Sequence, residues 1–286
     1  MAPGFAPLLA GLSSICFGLG LVTGRIGLRS LDARAGAALS IPTATLLYLL
    51  AAPFALNTSG WRLDAVLGFA VVGVFFPAIV TLLTFRSNEL AGPTLTGAVA
   101  GTAPLFALLA AALFLHEDIP ARAAVSVLGV MAGIALLTWR PGEAMLVSAR
   151  GLSWALAGAV LRGAAQVGAK AALLLWPNPF AASLVGYIVS SSTVLAANHG
   201  RPRPPDRARA GVPWFMLTGL LNGSSVLLMY LALAHAPVWI VAPIVTSYPL
   251  VTAIAGALLL HEERFSWRRM LGALLTVAAI AWLVAR

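Results

Sequence analysis

Ten long apolar segments constrain the fold of this chain more than any other feature of its sequence. Hydrophobic residues make up 60% of the chain and charged residues only 9%, and the mean hydropathy is +0.94. A water-soluble domain cannot bury that much apolar surface, whereas a helix of about 20 apolar residues crosses a bilayer. The alternation typical of a membrane β-barrel is absent. The segments therefore predict ten transmembrane helices, near 5–24, 36–56, 64–85, 94–115, 121–139, 152–175, 180–197, 214–233, 238–260 and 267–285.

One stretch of the sequence occurs twice. PLFALLAAALFLHED runs from Pro104 to Asp118, and PLVTAIAGALLLHEE runs from Pro249 to Glu263, 145 residues further on. Eight of the fifteen aligned positions are identical. A repeat at about half of the chain length indicates two homologous halves rather than a local coincidence.

Each half is predicted to hold five spans. The predicted boundaries are a first repeat over 1–139, a linker over 140–150 and a second repeat over 151–286. Because five is an odd number, the second half must enter the membrane with the opposite orientation. The predicted fold is therefore an all-α polytopic membrane protein whose ten transmembrane helices form two inverted five-helix repeats. Such pairs place a substrate site near the bilayer midplane, between the repeats.

Basic residues are concentrated in alternate connections, and this pattern accounts for the net charge of +9 without a nucleic-acid-binding surface. The even-numbered connections and the C-terminus hold only Arg62, Arg122, Lys170 and Arg286. Connections on the cytoplasmic side carry the excess of basic residues, so the odd-numbered ones are predicted to be cytoplasmic. Both termini are then periplasmic, in a bacterial-type inner membrane. The odd-numbered connections hold Arg25, Arg29, Arg34, Arg86, Arg140, Arg150, Arg201, Arg203, Arg207, Arg209, Arg264, Arg268 and Arg269.

Arg162 is the clearest charged residue inside a predicted span. Gln166 and Lys170 follow it at four-residue steps, so all three share one face of the sixth helix. None of the nine acidic residues falls inside a predicted span. An unpaired cation in the membrane favours a substrate that brings a negative group, such as the carboxylate of an amino acid. The alternative is that Arg162 snorkels and that Lys170 is an ordinary lysine at the end of a span.

Asn222, Tyr230 and Tyr248 are further candidates for substrate binding, because a polar group buried in a span needs a partner. Packing between helices is the alternative for small polar residues in membranes. Pro104 and Pro249 remove backbone hydrogen bonds within their spans, so they are predicted to act as hinges. Static curvature of the helices is the alternative for both prolines.

Several classes of site are not predicted. His116-Glu117 and His261-Glu262 lie at span ends and are too few for a metal site, so they are assigned to turns and helix caps. There is no phosphate-binding loop for ATP and no credible catalytic triad, and the lone Cys16 excludes an internal disulfide. We predict no enzymatic activity, no catalytic residue, no metal and no cofactor. The predicted partners are the lipid bilayer and a small-molecule substrate, without nucleic acid or an obligate protein partner.

The chain resembles the EamA family of the drug/metabolite transporter superfamily in the segment that joins the last two spans of each half. In the first half the pattern is Pro104, His116-Glu117-Asp118 and Gly129, and histidine replaces the usual glycine. In the second half it is Pro249, His261-Glu262-Glu263-Arg264, Trp267-Arg268-Arg269 and Gly272. Phe17-Gly18 with Arg25, and Gly163 with Lys170, correspond to the family's first-helix pattern.

This resemblance implies two tandem five-helix repeats and a transport function over nearly the whole chain. It also implies cytoplasmic termini, in disagreement with the count of basic residues. The prediction for function is an inner-membrane permease that exports aromatic or neutral amino acids by alternating access, as in the YddG-type exporters of this superfamily. Two alternatives remain: efflux of drugs or toxic organic cations, and a membrane-embedded scaffold or enzyme.

Overall fold

The computed structural model of the chain describes residues 5–84, 87, 99–138, 149–200, 206–260 and 267–285, which form helices and turns with no β-strand among them. A short 3-10 helix spans Asp206–Gly211. The helices, in chain order, are α1 (Phe5–Gly27), α2 (Ala33–Ala55), α3 (Leu63–Gly73, continued to Thr84), α4 (Ala103–Phe114), α5 (Ala121–Thr138), α6 (Ala149–Leu175), α7 (Pro179–Ala197), α8 (Val212–His235), α9 (Val238–Thr246), α10 (Tyr248–Leu260) and α11 (Trp267–Val284).

Eight stretches of helix in the described ranges are long and apolar enough to cross a membrane. They are α1, α2, α3, α5, α7, α8, α11 and the stretch that α9 and α10 form together, while α4 is a shorter apolar helix. Helix α6 has 27 residues, but Arg162, Gln166 and Lys170 make it less apolar than the other long helices. These observations confirm the predicted class, an all-helical membrane protein.

Helix α3 is interrupted in its middle. A π-helical turn, Val74–Ile79, follows its regular part, and Phe76 within that turn has an extended backbone (φ −133°, ψ 125°). Pro77 has no amide hydrogen to donate, so the regular ladder cannot continue through this position. The interruption places Phe76 and Pro77 side by side on the wall of an internal cavity.

The fourth span of each half is broken at the same place in the repeat. The hydroxyl of Thr102 donates a 2.7 Å hydrogen bond to the carbonyl oxygen of Val99, just before α4 begins. The hydroxyl of Ser247 donates a 2.7 Å hydrogen bond to the carbonyl oxygen of Ile244, just before α10 begins. Thr102 and Ser247 are 145 residues apart, which is the spacing of the repeated sequence. The same local backbone structure therefore occurs twice.

The two prolines of the repeat lie in the first turn of a helix. Pro104 is the second residue of α4, and Pro249 is the second residue of α10. A proline is tolerated there because the first amide groups of a helix have no partner within it. Each proline thus follows a break in its span, which is compatible with the predicted hinges and with fixed curvature alike.

The first helix of each half packs closely on the fourth span of the other half. A Cβ at Gly18 in α1 would lie 2.9 Å from the carbonyl oxygen of Tyr248 in α10. A Cβ at Gly163 in α6 would lie 2.9 Å from the carbonyl oxygen of Ala103 in α4. The two contacts are counterparts, because both pairs of equivalent residues are 145 apart. Glycine permits this close approach of backbones. Because each half contributes its first helix to a contact with the other half, these contacts hold the two halves together.

The packed core lies toward one face of the helical bundle. Buried core residues near the ends of five helices at this face include Ala10, Phe69, Leu173, Ala181 and Leu233. These ends adjoin the N-terminus and the even-numbered connections, which are poor in arginine. Side chains at this face exclude water, so any opening of the bundle has to lie toward the other face.

Hydroxyl groups join helices across this core. Ser13 of α1 and Ser225 of α8 donate to each other's backbone carbonyl oxygens, at 2.8 Å in both directions. Thr45 of α2 and Ser191 of α7 are linked through their hydroxyl oxygens at 2.6 Å. These contacts show that several small polar residues of the spans serve helix packing, as polar groups commonly do in membranes.

Candidate functional site

An internal cavity of about 640 Å³ lies among α1, α2, α3, α5, α6, α8 and α10. A cavity of this size accommodates a small organic molecule. Its deep end is lined by residues from the middle of long helices, including Phe17, Phe76, Arg162 and Tyr248. The candidate site is therefore near the centre of the bundle, where two halves of a transporter usually bind substrate.

The cavity opens toward the arginine-rich face of the molecule. Its outer lining includes Arg25 near the end of α1, Thr84 at the end of α3, Thr138 at the end of α5 and Arg269 near the start of α11. These helix ends all adjoin odd-numbered connections, which carry most of the basic residues. The opposite face is closed by the packed core, so the structure gives access to the cavity from one side.

Tyr48 and Tyr187 separate the cavity from the closed face. Tyr48 and Tyr187 are each 2% exposed, and their ring centroids are 5.4 Å apart. The Tyr48 hydroxyl donates a 2.6 Å hydrogen bond to the carbonyl oxygen of Gly223 in α8. This contact joins α2, α7 and α8 at the level where the cavity ends.

Arg162 lies within a box of three aromatic rings at the deep end of the cavity. Its guanidinium carbon is 5.4 Å from the ring centroid of Phe17, 5.8 Å from that of Phe76 and 5.9 Å from that of Tyr248. The rings of Phe17 and Tyr248 contact each other edge to face at 4.7 Å. Cations interact favourably with aromatic faces at these distances. Arg162 makes no ion pair within the described part of the chain, so the rings stabilise the charge without neutralising it.

The described polar side chains of the cavity wall are arginines, hydroxyl-bearing residues and Asn222. Among the described residues of the lining there is no aspartate or glutamate, whereas Arg25, Arg162 and Arg269 all contribute to it. Asn222 lines the cavity from α8, and its carboxamide oxygen has no hydrogen-bond donor. Among the described lining residues, Arg162 therefore contributes a positive charge with no acidic side chain in the lining, and such a charge attracts anionic groups and repels cations.

Of the six predicted substrate-binding residues, Arg162, Asn222 and Tyr248 line the cavity together. Gln166 is 3% exposed and Tyr230 is also 3% exposed, and neither belongs to the lining. The side-chain oxygen of Gln166 is buried without a donor, one helical turn from Arg162. Of the two predicted hinge residues, Pro249 lines the cavity beside Tyr248, and Pro104 is not among the described lining residues.

Lys170 lies outside the cavity and binds the end of a neighbouring helix. Its ammonium group donates hydrogen bonds to the carbonyl oxygens of Leu233 (2.6 Å) and Ala236 (3.1 Å) at the C-terminus of α8. A cation at this end of a helix satisfies free carbonyl groups and interacts favourably with the helix dipole. This placement agrees with the alternative reading of Lys170 as a structural lysine at the end of a span.

Glu117 of the first His-Glu pair has a helix-capping role, as predicted. Both of its carboxylate oxygens accept a hydrogen bond from the amide nitrogen of Val238, at 3.0 Å, at the start of α9. A carboxylate at the N-terminus of a helix is stabilised by the free amide groups and the dipole. The second pair, His261-Glu262, lies outside the described residues. No group of three potential metal-binding side chains occurs within the described ranges.

The sequence alone does not predict the aromatic partners of Arg162. Apolar rings are ordinary in membrane spans, and nothing in their spacing points to a shared cavity. One signal was available: Phe17 occupies the position of the tryptophan in the family's first-helix pattern. Phe76 precedes Pro77, and a proline within a span marks a place where the helix can turn a side chain inward.

A family model described as "EamA-like transporter family" matches residues 4–139 and again residues 149–285. The chain belongs to the EamA-like transporter family. The two matches confirm the resemblance, and they agree with the internal repeat. This EamA-like chain is therefore a membrane transporter of two tandem repeats, and an enzymatic role is disfavoured.

The structure of this EamA-like transporter also matches solved structures. One crystal structure superposes with a TM-score of 0.79 at 16% sequence identity, covering 97% of this chain and 95% of that chain. A likeness at this level of identity shows a shared fold over the full length and carries no information on substrate. No curated protein matches the sequence significantly.

Proposed function

We propose that this chain is an inner-membrane permease that exports small metabolites carrying a carboxylate, in particular aromatic or neutral amino acids. Its ten spans form two inverted five-helix repeats with boundaries near 1–139 and 151–286. Transport occurs by alternating access, with the substrate bound between the repeats. The proposed binding residues are those of the cavity, Arg162, Asn222 and Tyr248, and the proposed hinges are the breaks before Pro104 and Pro249.

The observation that carries the proposal is the guanidinium of Arg162, which lies among three aromatic rings and has no ion-pair partner among the described residues. A carboxylate binds a guanidinium through charge-assisted hydrogen bonds, which are stronger than neutral ones. The rings of Phe17 and Tyr248 offer apolar and aromatic surface for the rest of the substrate. Efflux of organic cations is disfavoured, because a cation in this cavity would meet Arg162 and no described acidic side chain.

Alternating access is supported by the asymmetry of the bundle. The cavity is open at one face, while Tyr48, Tyr187 and the core close the other. The breaks at Thr102 and Ser247 give equivalent spans of the two halves a place to bend. Rocking of one repeat against the other would close the present opening and expose Arg162 to the opposite side.

Uptake into proteoliposomes tests the substrate class. We expect accumulation of radiolabelled phenylalanine and leucine, saturable and competed by each other, and no uptake of tetraphenylphosphonium above the level of empty liposomes. The reason is the positive charge of Arg162, which pairs with a carboxylate and repels a permanent cation. Transport of the cation without transport of either amino acid would refute the proposal and would favour drug efflux.

The cavity opens at the arginine-rich face, which is the cytoplasmic one under the positive-inside rule, so a cytoplasmic substrate has access to it. Single cysteines on a Cys16→Ser background test this orientation. Ser30→Cys lies in the first connection and Thr58→Cys in the second, and both positions are exposed. We expect a membrane-impermeant thiol reagent added to intact cells to label Thr58→Cys only. Labelling of Ser30→Cys only would place the opening and the termini on the opposite sides from those proposed.

A further inference from the structure

Asn222 lines the same cavity as Arg162. Both groups are positioned by α1: the ring of Phe17 contacts the guanidinium, and Gly20 contacts the carboxamide of Asn222. Phe17 and Gly20 are three residues apart, so they are neighbours on one face of α1, at about 5–6 Å between their Cβ positions. A single small substrate in this part of the cavity can therefore reach both Arg162 and Asn222.

Gly20 holds the carboxamide of Asn222 in one orientation. The Asn222 oxygen occupies the place where a Cβ at residue 20 would be, and it is buried there without a hydrogen-bond donor. An oxygen can lie against the Cα hydrogens of a glycine, since such contacts are weakly favourable. An NH2 group in the same place would bury two donors without acceptors, which costs more. The carboxamide oxygen therefore points to α1.

The amide nitrogen is then the end of Asn222 that faces the cavity. Asn222 is only partly buried, and its nitrogen makes no hydrogen bond to any described residue. The guanidinium of Arg162 and the amide of Asn222 thus both line the cavity, and neither has a hydrogen-bond acceptor among the described residues. The N–H groups of these two side chains match one carboxylate, which offers about four acceptor sites on two oxygens.

We propose that Asn222 and Arg162 bind the same substrate carboxylate, and that Gly20 is the positioning residue that turns the amide nitrogen of Asn222 toward it. This inference rests on the proposed function and deepens it, because it defines which end of the substrate the site recognises. The carboxylate is the recognised group, and the site requires no contact with an ammonium group on the substrate. Carboxylates that lack an ammonium group are then substrates as well.

Three compounds with a common phenylethyl body test this proposal: phenylalanine, 3-phenylpropionate and phenethylamine. In uptake assays with the unmodified protein, we expect transport of the first two and none of the amine. Asn222→Asp keeps the shape of the side chain but presents a negatively charged oxygen, so it should lower the affinity for both carboxylates at least tenfold. Asn222→Leu removes the donor without adding repulsion, and a smaller loss, about three- to tenfold, is expected.

Gly20→Ala supplies an independent test and comes with a matched control. A Cβ at Gly20 would displace the Asn222 carboxamide, so this variant should weaken both carboxylates by a factor similar to that of Asn222→Leu. Gly11 is in the same helix and is not among the described lining residues, and no heavy atom lies within 4 Å of a Cβ placed there. Gly11→Ala should therefore leave the affinities unchanged. Monodisperse elution in detergent checks that each variant folds.

The outcomes separate this proposal from its rivals. Improved phenylalanine transport in Asn222→Asp would show that Asn222 offers its oxygen to an ammonium group, and it would overturn the proposal. Equal, small effects of Asn222→Asp and Asn222→Leu would assign Asn222 to packing and would also overturn it. If the unmodified protein transports neither carboxylate, the proposed function fails and this inference falls with it.

Discussion

Replacing Arg162 with alanine abolishes carboxylate transport, with an expected loss of about 100-fold in substrate affinity. Removing one partner of a desolvated charge pair costs about 2–5 kcal/mol, and each 1.4 kcal/mol is a factor of ten. Arg162→Lys keeps the charge but loses the flat guanidinium that stacks on the aromatic rings, so an intermediate loss of affinity is expected. Binding of phenylalanine to the purified protein, by isothermal titration calorimetry, measures both losses.

Lys170→Met is the matched control for Arg162→Ala. Lys170 lies two turns away on the same face of α6, but it binds carbonyl oxygens of α8 and does not line the cavity. We expect this variant to lower the melting temperature of the protein and to leave the affinity for phenylalanine within about threefold of the original, because only a helix cap is lost. Unchanged affinity in Arg162→Ala would show instead that Arg162 snorkels, and the proposed site would be wrong.

Gly163→Ala is expected to destabilise the protein by about 1–3 kcal/mol or more, in the range of overpacked cores. The new Cβ would lie 2.7 Å from the amide nitrogen of Ala107 and 2.9 Å from the carbonyl oxygen of Ala103, and backbone atoms cannot move aside like the end of a side chain. Gly18→Ala should have a similar effect, because it is the counterpart contact in the other half. The melting temperature of the purified protein in detergent measures both effects.

Gly11→Ala is the control for these two substitutions. No heavy atom lies within 4 Å of a Cβ at Gly11, although this glycine is in α1 like Gly18. Alanine stabilises a helix relative to glycine by about 0.5–1 kcal/mol, so the melting temperature should rise slightly or stay constant. A rise for Gly163→Ala as well would mean that α6 and α4 do not pack as closely as described.

The sequence predicts the helices of this protein better than its cavity. The lengths of the apolar segments predict the bounds of most helices to within a few residues. A segment that crosses the hydrocarbon core must have a minimum length, and its backbone must form its hydrogen bonds internally, as a helix does. The interruption at Phe76 is not predicted by apolar length, and neither are the breaks at Thr102 and Ser247. Those depend on local hydrogen bonds and on prolines whose effect is set by neighbouring helices.

The sequence predicts candidate site residues only where placing the side chain in a membrane costs free energy. Arg162 stands out because a charge in a span needs an explanation. Lys170 stands out for the same reason, yet the structure gives it a carbonyl-binding role at a helix end. Gln166 and Tyr230 look equally polar in the sequence, and their distance from the cavity depends on how helices pack. Phe17 and Phe76 carry no such signal, because an aromatic residue is common in any span.

The contacts of Gly18 and Gly163 join helices that are far apart in the sequence, so they form late during membrane insertion. Helix α1 is synthesised before α10, but Gly18 is covered only when Tyr248 and the rest of α10 have been inserted. The five amino-terminal helices therefore leave Gly18 without its packing contact until α10 is inserted. We therefore expect the packing of α1 to be completed only after α10 has been inserted into the membrane.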